Sequence, residues 1–335
     1  MSATLKDLAN YLGLSVSTVS RALNNKGRMN EKTRAQIIQA AQELQYIPNA
    51  SARSLKTNSN SIVGVLLPDI SNIFYTKLLQ AIDSELNKAG YGMLFCNTDD
   101  NLEKEKQYIE MLLSQNVIGT IFAPTSANPA YEQENFFKNI IFIDNMPSLS
   151  RTDYNFIGID NIRAGYELTS MLFETGHRNI VAVTGTVQET TAVHRMEGFR
   201  RKMQEQNIDT SNRIFHAPYT INAGHDVVMQ MLSLPSFPDA IFVHNNVQVY
   251  GIIHALMTLG KKIPEDVSIV SFDFMDDTKL IQPQITSVLQ PVEQLAAEAV
   301  RLVVHPNHSK KYQHIILKHS IYMGASLLAR NFTNS

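Results

Sequence analysis

The sequence predicts an α/β chain in two unequal parts: a small three-helix head and a large two-lobed body of doubly wound parallel sheets. Three observations carry that prediction. Two short amphipathic helices stand almost back to back near the N-terminus, and strand-length apolar runs alternate with helix-period segments over most of the remaining chain. Charge also divides unevenly. Residues 1–60 hold eight Lys/Arg against three Asp/Glu, a net of +5, while the remainder nets −7 in a chain whose total is −2. A small basic head on a larger acidic body is the footprint of a nucleic-acid-binding module joined to something else.

In the head, Leu5, Leu8, Ala9 and Leu12 follow the i, i+3, i+4, i+7 rule, with Thr4 as N-cap and Gly13 as the stop. Ser15 caps a second helix whose apolar stripe is Val16, Val19 and Leu23. With only Gly13 and Leu14 between them, the two read as a helix-turn-helix, whose second helix lies in the DNA major groove. The other face of that helix offers Ser17, Thr18 and Ser20, short enough to reach phosphates or base edges, and Arg21, which matches a guanine edge. A third helix, roughly Glu31 to Gln45, presents Ala35, Ile38 and Ala41 to the other two. Pro48 marks its end, because the residue before a proline avoids helical geometry.

"PNASARSLKTNSNS" follows. Asn49 caps a short helix over Ala50 to Lys56, and a polar linker runs through Ser61. So short a helix is marginal unless something holds it. Leu55 is an apolar side chain in a small, basic and polar segment, the kind of residue that minor-groove binders wedge between base steps. On residue type alone, a plain linker with an incidental leucine is the simpler reading.

"TLKDLANYLGLSVSTVSRALNN" and "EKTRAQIIQAAQELQYIPNASARSL" resemble the lactose-repressor/galactose-repressor family of bacterial transcription regulators, and the similarity continues to about residue 330. The resemblance implies a head over residues 1–48, a hinge helix and linker over 49–60, and a periplasmic-binding-protein-like body over 61–335 that binds effector and dimerises. It implies a first lobe of about 61–157 and 286–318, and a second of about 158–285 and 319–335. It further implies that Val16, Ser17 and Arg21 face operator bases, so that Val16 belongs at least partly to the DNA face despite fitting the apolar stripe. Leu5, Ser15, Thr18, Ser20, Asn24, Asn30, Thr33 and Tyr46 would position the head on the backbone. Asn49, Ala52 and Leu55 would form the hinge helix, with paired Leu55 side chains opening the central base step of a palindromic operator.

The body alternates in two blocks. "SIVGVLLP", "GMLFCNT", "IGTIFAP" and "NIIFID" read as strands separated by helices over 73–89 and 102–114. "NIVAVTG", "DAIFVHN" and "VSIVSFD" continue the pattern, with helices over 161–175, 190–206 and 247–260. "TSVLQPVEQLAAEAVRLVV" reads as a strand leading into a helix and resembles the family's return crossing into the first lobe. Several crossings between lobes make a hinge suited to closing on a ligand.

Ligands of such sheets bind beyond the carboxyl ends of the strands. Asn72, Phe74 and Tyr75 stand after the first strand, Asp144 after "NIIFI", Asn245 after "DAIFVH" and Asp273 after "VSIVSF", with Arg195 and Tyr219 in the loops or helix starts of the second block. Carboxylates, amides, an arginine and aromatic faces suit a polyhydroxylated ligand. Taken singly, an Asp or Asn after a strand is commonly a helix cap or turn residue; the set points to a small-molecule effector, a sugar. The resemblance matches Arg195 in "HRMEGFR", Asp273, Asp144, Tyr219, Asn245 and the Phe74/Tyr75 pair to effector contacts. This chain departs from the family's Asn-Asp at Asn245-Asn246 and from its Phe-Asp-Asp at Phe272-Asp273-Phe274, which makes both loops less acidic.

The remaining signals exclude more than they add. One cysteine, Cys96, rules out an internal disulfide and fits a reducing compartment, and the N-terminus lacks a signal-peptide pattern. No apolar run approaches the length of a membrane span. The expectation is therefore a cytoplasmic bacterial protein, on the nucleoid when bound to operator. His305, His308, His314 and His319 are irregularly spaced and unaccompanied by cysteine, so no metal is expected. Neither a P-loop, a Gly-x-Gly-x-x-Gly nor a Gly-x-Ser-x-Gly elbow occurs, so no cofactor and no catalytic residue is expected and the chain is read as a non-enzyme. A solute-binding protein for transport would share the body but not the basic head. The resembled family's tetramer-forming members carry a leucine-rich extension after the core, whereas this sequence stops at Ser335, so a homodimer on double-stranded operator DNA is the expectation.

Overall fold

A computed structural model describes residues 3–23, 28–46, 61–126, 139–147, 154–185, 189–306 and 312–330. The chain divides into two units, residues 1–60 and 61–335.

In the first unit, α1 (Leu5–Leu12), α2 (Val16–Leu23) and α3 (Glu31–Glu43) enclose a small core. Thr4 caps α1 in a reciprocal box with Asp7, and Gly13 closes it in the left-handed region at φ 63°. Ser15 Oγ accepts the Thr18 N–H at 3.1 Å, starting α2. Leu8, Ala9, Val19 and Ala22 are buried as the helical period requires. The face expected for α3 is corrected: Ile37, Ala40 and Ala41 are buried, while Ala35 and Ile38 are exposed. Both faces have helical spacing in the sequence. The one that turns inward is set by where Leu8 and Val19 lie, which local periodicity does not encode.

The second unit contains two six-stranded sheets. The first is built from β1 (Ile62–Leu67), β2 (Gly92–Asn97), β3 (Thr120–Phe122), β4 (Ile140–Ile143), β5 (Asn155–Ile159) and β11 (His314–Leu317), in the order β11-β5-β4-β3-β1-β2 and parallel throughout. The second comprises β6 (Ile180–Thr184), β7 (Ile214–His216), β8 (Ala240–Val243), β9 (Ser268–Phe272), β10 (Thr286–Leu289) and β12 (Ser320–Tyr322), in the order β12-β10-β9-β8-β6-β7. Here β12 runs antiparallel to β10, so the second sheet is mixed at one edge and not wholly parallel as expected.

Both faces of each sheet are covered, which explains why the strands read as unbroken apolar runs. In the first sheet Val63, Val65 and Leu67 pack with α4 (Ile73–Lys88) and α10 (Val292–Val304). The alternate residue Leu66, with Phe122 and Phe142, packs with α5 (Leu102–Ser114). In the second, Val181, Val183, Ile241 and Val243 face α8 (Ile221–Met231) and α9 (Asn246–Thr258). Ile180, Ala182, Phe242 and Phe272 face α6 (Asn161–Glu174) and α7 (Thr190–Glu205). A Cβ on Gly198 would collide with the Ile162 carbonyl, and one on Gly165 with the Arg195 carbonyl, so the α6–α7 approach requires glycine at both positions.

The chain passes between the sheets after β5, between β10 and α10, and between β11 and β12. The return crossing was expected before Thr286. It comes after Leu289, because β10 first pairs in register with β9, Thr286 against Val270 and Val288 against Phe272. This shift places Gln290 at a strand's carboxyl end, between the lobes.

Candidate functional site

On the head, Ser15, Val16, Ser17, Arg21 and Asn30 are exposed, with Val16 at 40% against 0% for Val19. Leu5, Thr18, Ser20, Thr33 and Tyr46 are half-buried. Ser15 Oγ lies 2.9 Å from Ser17 Oγ and 2.8 Å from Thr18 Oγ1, and Arg21 Nε donates to the Ser17 carbonyl at 3.3 Å. Asn30 also has a local task, since its Oδ1 accepts the Lys32 N–H as the cap of α3. Asn24, Asn49, Ala52 and Leu55 lie outside the described residues.

In the body, all eight sequence-predicted effector residues meet in one cavity between the two sheets' carboxyl ends, with about 520 Å³ of space, part of it open to solvent. Asp144 follows β4 and Asp273 follows β9, both in the left-handed region at φ 64° and 50°. Asp144 Oδ2 accepts the Tyr75 hydroxyl at 2.7 Å, and its Oδ1 accepts Gln290 Nε2 at 3.2 Å. Asp273 accepts the Gln290 N–H on Oδ1 and its Nε2 on Oδ2, both at 2.9 Å. Burial raises the pKa of both carboxyls against the pull of Arg195, that of Asp273 to about 6.

Arg195 enters from the second turn of α7. Its Nε donates to Asn161 Oδ1 at 2.7 Å, its Nη1 to the His244 carbonyl at 2.9 Å, and its guanidinium lies 4.0 Å from the Phe272 ring centre. Tyr219 donates to Glu189 Oε2 at 2.6 Å and stands 3.2 Å from His244 Nδ1. Phe74 and Tyr75 open α4 with their rings 5.0 Å apart. The cap reading of two residues also holds: Asn72 Oδ1 accepts the Phe74 N–H and Asn245 Oδ1 the Val247 N–H.

Sequence reasoning missed Glu189, His244, Asn246 and Gln290 on the cavity wall. Gln290 and Glu189 follow strands β10 and β6 at their carboxyl ends, so the rule that found Asp144 could have found them. Asn246 donates through Nδ2 to Asn72 Oδ1 at 2.9 Å and to the Asp273 carbonyl at 3.2 Å. Phe274 is buried at 2% exposure in the second lobe's core, its ring 5.0 Å from that of Tyr250. Further bonds join the lobes: Asn145 Oδ1 accepts the Thr191 hydroxyl at 2.8 Å, Thr190 Oγ1 accepts the Met146 N–H at 2.8 Å, and Lys77 pairs with Asp277 at 2.8 Å.

Of the histidines set aside above, His314 stacks on Tyr154 and His319 pairs with Glu167, and no cluster of three potential metal ligands occurs among the described residues. No helix among them is long and apolar enough to cross a membrane.

Two family models match the chain: bacterial regulatory proteins of the lacI family over residues 4–49, and a periplasmic binding protein-like domain over residues 169–327. The HTH-type transcriptional regulator DegA of Bacillus subtilis (strain 168) is 31% identical over 340 residues, covering 100% of this chain and 99% of its own. The ribose operon repressor of Halalkalibacterium halodurans is 33% identical over 307 residues, 90% of this chain and 89% of its own. The fold is that of the lac repressor dimer bound to operator and an anti-inducer, with a TM-score of 0.84 at 24% identity, over 98% of this chain and 100% of that one. These relatives are regulators and not enzymes. A helix-turn-helix head, two α/β lobes and full-length similarity agree: the chain belongs to the lacI family of bacterial regulatory proteins, the DNA-binding transcriptional regulators.

Proposed function

We propose that the chain is a cytoplasmic homodimeric repressor of a carbohydrate-utilisation operon, released from a palindromic operator by a small sugar or sugar derivative bound between its lobes. The observation that carries this reading is the cavity itself: carboxylates, amides, aromatic rings and a buried arginine from both lobes line one space. Carboxylates read hydroxyl pairs, a guanidinium donates in a fixed fork, and rings cover the apolar face of a sugar. The 33% identity to a ribose operon repressor supports the substrate class.

The mechanism is linkage. Hinge segments of two subunits enter the minor groove in one relative arrangement of the first lobes, and a ligand that favours another arrangement lowers operator affinity by its differential binding energy. Val16, Ser17 and Arg21 read bases, and the remaining head residues named above hold the backbone.

The test is fluorescence anisotropy on a duplex selected by the full-length protein from a random pool, titrated with common mono- and disaccharides. A sugar that releases the duplex from the natural protein, but not from an Arg195→Ala variant that still binds it, is the expected result. Release from the variant at the same sugar concentration contradicts the assigned cavity. A sugar that tightens binding reverses the sign and makes the ligand a corepressor.

A further inference from the structure

On the reading that this cavity is the ligand site, its wall also selects the effector's charge. Proteins hold phosphate and carboxylate groups with open N–H groups at helix N-termini or with the paired N–H donors of arginine. Helices α4, α7 and α9 begin at the cavity wall, and in each the N–H of the second residue is taken by an asparagine side chain. Asn72 Oδ1 accepts the Phe74 N–H at 3.0 Å, Asn145 Oδ1 the Thr191 N–H at 3.3 Å and Asn245 Oδ1 the Val247 N–H at 2.8 Å. At the start of α10 the Val292 N–H meets the Gln290 carbonyl at 2.9 Å. All three asparagines line the cavity, so a neutral amide fills the place an anion would take at each helix end.

Arginine offers little more. Arg195 is the one lysine or arginine among the described lining residues. Its Nε is committed to Asn161 and a hydrogen of Nη1 to the His244 carbonyl, which closes the Nε side of its fork to a bidentate anion. Its charge already draws on the buried carboxyls of Asp144 and Asp273, against which an anionic ligand would be set. His244 adds no charge, because burial and then the nearby Arg195 push its pKa well below the ordinary histidine value.

Two amides on the wall have acceptors left and no donors. The Gln290 side chain meets Asp144 Oδ1 at 3.2 Å and Asp273 Oδ2 at 2.9 Å through one atom, which must be the nitrogen, since an oxygen would face two carboxyls. Asn72 Oδ1 is fixed as an oxygen by the Phe74 N–H, so Asn246 presents Nδ2 to it and to the Asp273 carbonyl. Neither nitrogen has a hydrogen to spare, and Gln290 Oε1 and Asn246 Oδ1 are buried without a donor. Buried acceptors are ordinarily satisfied. A hydroxyl has a hydrogen to give them; a carboxylate or a phosphate dianion has none.

We propose that the effector is an uncharged sugar, and that the capped helix ends and the carboxyls of Asp144 and Asp273 exclude sugar phosphates and sugar acids. The hydroxyls of such a ligand donate to the wall, and nothing on it is asked to neutralise a second negative charge.

Calorimetric titration of the full-length protein at neutral pH tests this with matched sets: glucose, galactose, fructose and ribose, their terminal phosphate esters, and glucuronate and galacturonate. At least one free sugar should bind, about tenfold or more tighter than its phosphate ester and, for glucose or galactose, than its uronic acid. Asn245→Gly frees the Val247 N–H and should reduce that ratio to about threefold or less. Asn145→Gly, which frees the Thr191 N–H, is the second variant if the first does not fold. A smaller ratio in the natural protein, or an anionic sugar that binds tighter than its parent, overturns the proposal and leaves the sugar reading standing. An unchanged ratio in a folded variant overturns the part given to the capped helix ends. No binding by any sugar, neutral or anionic, overturns the proposal and the sugar reading together.

Discussion

Glu189 caps no N–H with its side chain although it stands at the N-cap of α7; the carboxyl is turned to Tyr219 instead. Burial, opposed by that hydrogen bond and reinforced by Asp100 and Asp144, pushes its pKa up to about 8. A carboxyl with a raised native pKa binds its proton more tightly folded than unfolded, so folding is favoured below the native value and loses stability as pH rises through it. Ligand-free protein should therefore melt at progressively lower temperature between about pH 5 and pH 8, and Glu189→Gln should flatten that slope. An unchanged slope in the variant would place the titrating group elsewhere, with Asp273 and Glu105, raised to about 6 and about 7, as the next in line.

Among the elements, α2 separates two tasks on adjacent turns. Val19 is fully buried against α1 and α3, while Val16 is 40% exposed. Val19→Ala should cost the head about 2 kcal/mol in denaturant unfolding, and Val16→Ala within about 0.5 kcal/mol. Val16→Ala should instead change which duplex sequences are selected. Equal destabilisation by both would mean that Val16 is core.

Elements with a strong local signal were legible: Thr4 and Gly13 bound α1, and the short, β-branched-rich apolar runs "SIVGVLL" and "DAIFV" read as strands buried on both faces. Other elements were not. The strands β7 and β12 have three residues each, and β11 is a four-residue edge strand, His-Ile-Ile-Leu, whose positions alternate exposed with half-buried, so each is too short to stand out from its surroundings. The same limit applied to the site. Asp144 and Asp273 announced themselves after strong strands, whereas Gln290 follows a strand whose Thr286 and Ser287 are buried polar residues, and the chain's crossing was placed too early. The buried face of α3 depended on tertiary packing in the same way.

For the whole molecule, the contacts between lobes differ in weight. Lys77–Asp277 involves an aspartate side chain that is 74% exposed and contributes little in water. Asn72–Asn246 and Asn145–Thr191 are buried, so opening the lobes must replace them. These bonds are candidates for what a ligand biases. At the operator, if Leu55 is the wedge proposed above, Leu55→Ala should weaken selected duplex far more than random duplex, because the substitution removes apolar surface and no charge. Equal weakening of both duplexes would remove the wedge from the mechanism.

The central claim is that cavity occupancy and operator binding are two sides of one equilibrium. The most direct measurement takes the effector's dissociation constant with and without saturating operator, and the operator's with and without saturating effector. Thermodynamic linkage predicts that each ligand weakens the other by the same factor, about 5- to 150-fold for coupling of ordinary strength. An operator affinity that does not change when the cavity is saturated would contradict the account.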